Sequence, residues 1–138
     1  LAADDNIDII QLGGMVRHSS ISVVGQYSME ILRGCSFSKL FLGVDGIDLD
    51  FGISTTDMRE AELNRVMMQA AQKTIVLADS SKFGRRGFAR ISRLEDVDII
   101  ITDSKVPQTV VKKIEEMGID LIIAGAAGMQ QEHKTETY

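Results

Sequence analysis

Cysteine occurs once in this 138-residue chain, at Cys35, which excludes an internal disulfide and reads as a small core residue. The two histidines, His18 and His133, stand far apart and supply no metal-ligand spacing, so no metal and no cofactor is expected. No apolar run approaches the roughly 20 residues that a membrane helix needs, and no signal peptide is visible. A cytoplasmic chain with no membrane partner is the expectation. Positive charge is also short. Fifteen Lys and Arg against 20 Asp and Glu leave a net charge of −5, without the basic face by which a domain grips nucleic acid. An initiator methionine is missing and an apolar segment starts at Ile7, so the chain reads as a piece of a longer protein.

What is present is enough for one core: 44% of the residues are hydrophobic, ordinary for a single globular domain. Short apolar runs recur at 7–12, 40–44, 74–78, 97–102 and 119–124, and each reads as a buried strand. Between them lie helical patterns. Residues 26–33 place Met29 and Leu32 on one side, with Gly34 as the stop. Asp57 followed by Glu60 three residues on is an N-cap signature. Leu63, Val66, Met67 and Ala70 then give the longest helix, near 57–71, an apolar face, while Arg59, Glu62, Arg65 and Gln69 face water. Pro107 fits the first residue of a third helix carrying Val110, Val111, Ile114 and Met117, which Gly118 ends. Residues 49–56 read as irregular, 87–92 as a short extended piece, and 125–138 as a polar tail. Alternating strands and helices define an α/β fold, a mostly parallel sheet of five strands flanked by helices.

Two loops carry the chemistry. Gly43-Val44-Asp45-Gly46-Ile47-Asp48 and Ala78-Asp79-Ser80-Ser81-Lys82 both follow apolar runs, so their polar residues fall where strands end. In an open α/β sheet, ligands occupy the crevice beyond the carboxyl ends of the strands. An acid there accepts hydrogen bonds from hydroxyls, a lysine offers a point charge to an anion, and glycine N–H groups can face the same anion. The plain alternatives are that the glycines only make turns, that Asp48 caps one of them, and that Lys82 is solvated. The basic run Lys82, Arg85, Arg86, Arg90 and Arg93 reads either as an extension of an anion site, as a contact to another domain, or as a solvated edge.

With these loops placed, the chain resembles the C-terminal effector-sensing domain of the DeoR family of bacterial transcriptional regulators, whose fold is that of ribose-5-phosphate isomerase. The resemblance covers about residues 7–124. It is carried by Leu12-Gly13-Gly14, Gly25, the 39–48 and 78–84 segments, Gly52 with Ser54-Thr55-Thr56, and Leu94-Glu95-Asp96-Val97-Asp98 leading into Ile101-Thr102-Asp103. It implies that a phosphorylated sugar or polyol is sensed by Gly13, Gly14, Asp45, Gly46, Asp48, Thr55 and Lys82. It also implies an upstream winged helix-turn-helix that contacts operator DNA, and a homo-oligomer matched to operators of two-fold symmetry. Neither that DNA-binding domain nor the family's first strand with its Gly-Thr-Thr loop is present in the sequence. The related isomerases place a glutamate where Gly46 stands and a general base where Asn64 falls by counting back from the shared Ala-Asp-x-Ser-Lys segment. Asn is no proton acceptor near neutral pH, and Glu60 or Glu62 would serve only in another helix register. No catalytic residue is therefore assigned. An isomerase and an oligomerisation scaffold without ligand stay as the alternatives to a sensor.

Overall fold

A computed structural model describes residues 6–18 and 20–125; all but the first residue of the tail expected over 125–138 lies outside the described residues. Four short parallel strands form the central sheet: β3 (Leu40–Gly43), β6 (Thr74–Leu77), β8 (Ile99–Asp103) and β9 (Asp120–Ala124), in that spatial order. An antiparallel sheet of β4 (Gly46–Asp48), β5 (Gly52–Thr55) and β7 (Ala89–Ser92) stands beside it. A hairpin of β1 (Met15–Arg17) and β2 (Ser22–Val24) precedes α1 (Gln26–Arg33). Two more helices, α2 (Met58–Ala70) and α3 (Gln108–Glu116), follow among the described residues. The α/β class and the parallel sheet are as the sequence indicates.

Several details differ. Residues 7–12 form no strand: they pair with nothing among the described residues, and Ile10 is 89% exposed. An apolar run reads as a strand whether or not a neighbour exists to complete its ladder, so among the described residues the parallel sheet has four strands and not five. Residues 49–56 are ordered as the turn and second arm of the β4–β5 hairpin, whose turn is closed by Asp48 Oδ1 accepting the N–H groups of Asp50 and Phe51 at 3.0 and 2.8 Å. Cys35 is exposed beyond the end of α1, its thiol donating to the Ile31 carbonyl at 3.2 Å. Pro107 caps α3 one position before the helix begins.

The helix signals act locally as read. Asp57 accepts from the N–H groups of Arg59 and Glu60, at 2.9 and 3.2 Å, and so satisfies two of the donors that a helix start leaves over. Gly34 and Gly118 follow the ends of α1 and α3, Gly118 with a φ of +80° that a side chain would resist.

Register explains the core. Leu42, Val76, Ile100 and Leu121 lie in one row across the sheet, and this row packs against Ile114 of α3 and Ala61 of α2. Burying a side chain such as Ile100 stabilises the fold by roughly 1.5–3 kcal/mol. The opposite face carries exposed apolar residues from two rows, that of Phe41 and that of Leu77 and Ile122. Phe41, Leu77 and Ile122 are 59%, 42% and 48% exposed. On that same face Ile75, between Phe41 and Ile99, is 4% exposed, so the exposure lies toward the strand ends and the sheet edges and not over the whole face. Among the described residues no helix is long and apolar enough to cross a membrane.

Candidate functional site

Gly43 and Leu77 are opposite each other in register, the last residues of β3 and β6. The chain therefore leaves both strands side by side, and Asp45 and Asp79, two residues further on, enter one crevice of about 520 Å³. Its size falls within the range of small-ligand sites.

The lysine of that crevice is held by its own turn. Asp79 caps a single 3-10 turn, Ser80–Lys82, by accepting the Ser81 N–H at 2.9 Å, while the Lys82 N–H bonds the Asp79 carbonyl at 3.0 Å. The Ser80 N–H donates to Asp103 Oδ2 at 2.8 Å, which ties the turn to the end of β8. Downstream, the Gly84 N–H reaches the Ile47 carbonyl and the Gly87 N–H reaches Ser54 Oγ, both at 2.8 Å. Gly46 makes this closeness possible: a Cβ there would lie 2.5 Å from the Arg85 carbonyl oxygen. Lys82 thus projects into the crevice from a segment pinned on both sides. The Ser81 hydrogen bonds, helped by the Lys82 charge, hold the Asp79 carboxyl below its ordinary pKa, so Asp79 is ionised at neutral pH.

The other wall is built by β5 and α2. Thr55, 2% exposed, turns its hydroxyl to Asp45 Oδ2 at 2.9 Å and lies 3.2 Å from Glu60 Oε2. One hydroxyl carries one proton, so it serves one carboxylate at a time and leaves the other with spare acceptor capacity. Glu60 also accepts from Arg17 Nη1, which the β1–β2 hairpin brings over the start of α2. Arg17 Nε lies 3.6 Å from the Asp57 cap as well. The Arg59 guanidinium, the two capping N–H groups and Arg17 together bring the Asp57 pKa down to about 2.

Of the residues singled out in the sequence, Asp45, Thr55 and Lys82 line this crevice. Gly46 supports it from behind, by packing. Asp48 is elsewhere: its carboxylate closes the hairpin turn and pairs with Arg86 Nε at 3.0 Å, and that ion pair foremost lowers its pKa. The Gly13 carbonyl accepts from Ser28 Oγ at 2.6 Å, and Gly14 borders a separate cavity beside α1. Two crevice residues were not foreseen as such, Asp79 and Glu60. Glu60 gives only a capping signal in the sequence, and Asn64, at the position matched to the isomerase base, faces Leu12 and Met67 in another cavity. Among the described residues no cluster of His, Cys, Asp or Glu side chains is arranged to hold a metal ion.

Three carboxylates and one lysine around a cavity suit a ligand rich in hydroxyl donors with one anionic group. A polar crevice at the carboxyl ends of parallel strands is the architecture of a small-ligand-binding α/β domain. Residues 1–104 match the DeoR C-terminal sensor domain, and the chain belongs to that family. It is a sensor family and not an enzyme family. The chain is similar to a transcriptional repressor assigned to the aga operon of Escherichia coli O157:H7, with 36% identity over 121 residues, 88% of this chain and 45% of that protein. It is similar to the helix-turn-helix regulator GlpR of Haloferax volcanii, 31% identical over 88% of this chain and 48% of that one. The glycerol-3-phosphate regulon repressor of Haemophilus influenzae is 26% identical over 89% of this chain and 48% of its own length. The chain spans about half the length of the curated relatives it matches.

Proposed function

We infer that this domain senses a phosphorylated sugar or polyol within a longer transcriptional repressor of carbohydrate catabolism. The observation that carries the reading is the convergence of Lys82 and Asp45 on one crevice from adjacent strand ends. In this reading Lys82 meets the phosphate as a point charge. Asp45, oriented by Thr55, accepts from sugar hydroxyls, and Glu60 supplies a further acceptor. The relative named for the glycerol-3-phosphate regulon supports this class of effector. DNA contact then belongs to a winged helix-turn-helix elsewhere in the longer protein, in a cytoplasmic homo-oligomer, as the acidic charge of this domain suggests.

Calorimetric titration of the full-length protein with a panel of sugar and polyol phosphates tests the reading. Saturable heat from at least one of them is expected, and Lys82→Ala should weaken that affinity by about ten- to a hundredfold, since a charge-assisted hydrogen bond contributes roughly 1.5–3 kcal/mol. Unchanged affinity in a folded Lys82→Ala protein would remove the lysine from the site.

A further inference from the structure

A second concavity, of about 630 Å³, opens at the other end of the sheet, where β6 starts at Thr74 and Asp98 precedes β8. It lies between the C-terminal half of α2, β7 and the turn after it. Arg65, Arg90 and Arg93 border it, three arginines in a chain whose overall charge is −5.

The acids of this cavity are already engaged with backbone. Asp98 Oδ2 accepts the Thr74 N–H at 2.7 Å, and Asp96 Oδ2 accepts the Arg93 N–H at 3.2 Å. Among the described residues neither Arg65 nor Arg90 is paired with a carboxylate, whereas the exposed Arg93 has Glu95 at 3.5 Å. Arg65 is also oriented. Its Nη1 donates to the Arg90 carbonyl at 2.6 Å, which anchors one end of the guanidinium and leaves its other N–H groups available. Arg90 stands with its guanidinium over the Phe51 ring, 5.8 Å from the centroid, a stacking that orders it without neutralising it. Asp96 and Asp98 keep their charge beside the arginines, but neither is paired with Arg65 or Arg90, and guanidinium groups without a carboxylate partner at a concave space are a means by which proteins bind planar or tetrahedral oxyanions.

We propose that this cavity is a second ligand site, separate from the sugar-phosphate crevice, that binds a small oxyanion through Arg65 and Arg90. A phosphate ester, free phosphate and a small polycarboxylate share that chemistry. Concavity favours such a molecule over the extended surface of a nucleic acid or acidic protein.

Backbone amide shifts of the chain, followed by NMR during titration with inorganic phosphate, glucose 6-phosphate and citrate at 150 mM salt, provide the test. Saturable shifts are expected over residues 69–74 and 90–98 with at least one probe, distinct from any over 43–45 and 78–82. Response to inorganic phosphate marks a phosphate-group site, and response to citrate alone marks a carboxylate site. Both Arg65→Ala and Arg90→Ala should weaken the responding probe by about tenfold or more, and Arg65→Lys should weaken it too, because the fork is lost while the charge stays. Absence of saturation with all three probes, equal response in the arginine variants, or shifts only with an extended polyanion such as heparin would overturn the proposal.

Discussion

The buried Thr55 hydroxyl stands 2.9 Å from Asp45 Oδ2, and with the Asp45 N–H bonded to the Ser54 carbonyl at 3.0 Å it joins the ends of two different sheets at the crevice. With its donor gone, Asp45 keeps its charge and loses its orientation. Thr55→Val should therefore weaken effector binding by roughly tenfold, in line with the loss of one hydrogen bond to a charged group, while Thr55→Ser retains most of the affinity. Calorimetry on the two folded variants distinguishes a role in orientation from one in packing, since packing alone would make Val the milder change.

Gly46 is expected to be intolerant of any side chain. Its Cβ would lie 2.5 Å from the Arg85 carbonyl and 2.8 Å from Ser54 Oγ, and the first of these is backbone that cannot simply rotate away. Gly46→Ala should cost about 1–3 kcal/mol in denaturant unfolding, typical of overpacking. Because the displaced segment follows Lys82 directly, effector affinity should fall in the same variant. A stability loss with unaltered affinity would mean that the clamp does not position the lysine.

Thr102 presents a correctable fault. Its hydroxyl oxygen is buried in the core face of β8 and has no hydrogen-bond partner among the described residues. Thr102→Val replaces it with a methyl of nearly the same shape, and unfolding should show a gain of about 1 kcal/mol. A loss in stability would reveal a hydrogen bond made by that hydroxyl in solution.

Acid should release the cap of α2. The Asp57 pKa is about 2 in the folded chain against an ordinary 3.8, so its contribution is fully present above about 3.8 and is lost as pH falls toward 2. In that window the unfolded chain binds the proton first, and stability declines with acid. Asp57→Asn keeps a capping oxygen and removes the titration, so its stability curve should be flatter between pH 4 and 2 than that of the parent. Parallel curves for the two proteins would show that other groups govern the acid transition.

The sequence makes the strand ends legible because buried parallel strands are short, apolar and abruptly terminated, as at Leu42-Gly43 and Leu77-Ala78. Asp45 and Lys82 follow those strand ends in the sequence itself. The β4–β5 hairpin is not legible, since Gly52 and arms of three and four residues look like loop, and its pairing depends on contacts far along the chain. Residues 7–12 failed in the opposite way, an apolar pattern without a neighbour. Glu60 and Arg17 are 43 positions apart, and nothing local announces that a hairpin side chain will meet a helix start. Asp48 and Lys82 looked alike in sequence, as charges after strands. Only the three-dimensional structure shows that one is spent on a turn and the other faces a cavity.

The sequential order of β3, β6, β8 and β9 has a colloidal consequence. It puts Phe41, Leu77 and Ile122 on one face as wet, oily surface, and water expels such surface whatever the domain is built to sense. The separate domain should therefore cluster increasingly with concentration and with sulfate, and fluoresce with hydrophobic dyes. Phe41→Lys should suppress both behaviours, and an assembly joined through polar surface would be unmoved by it.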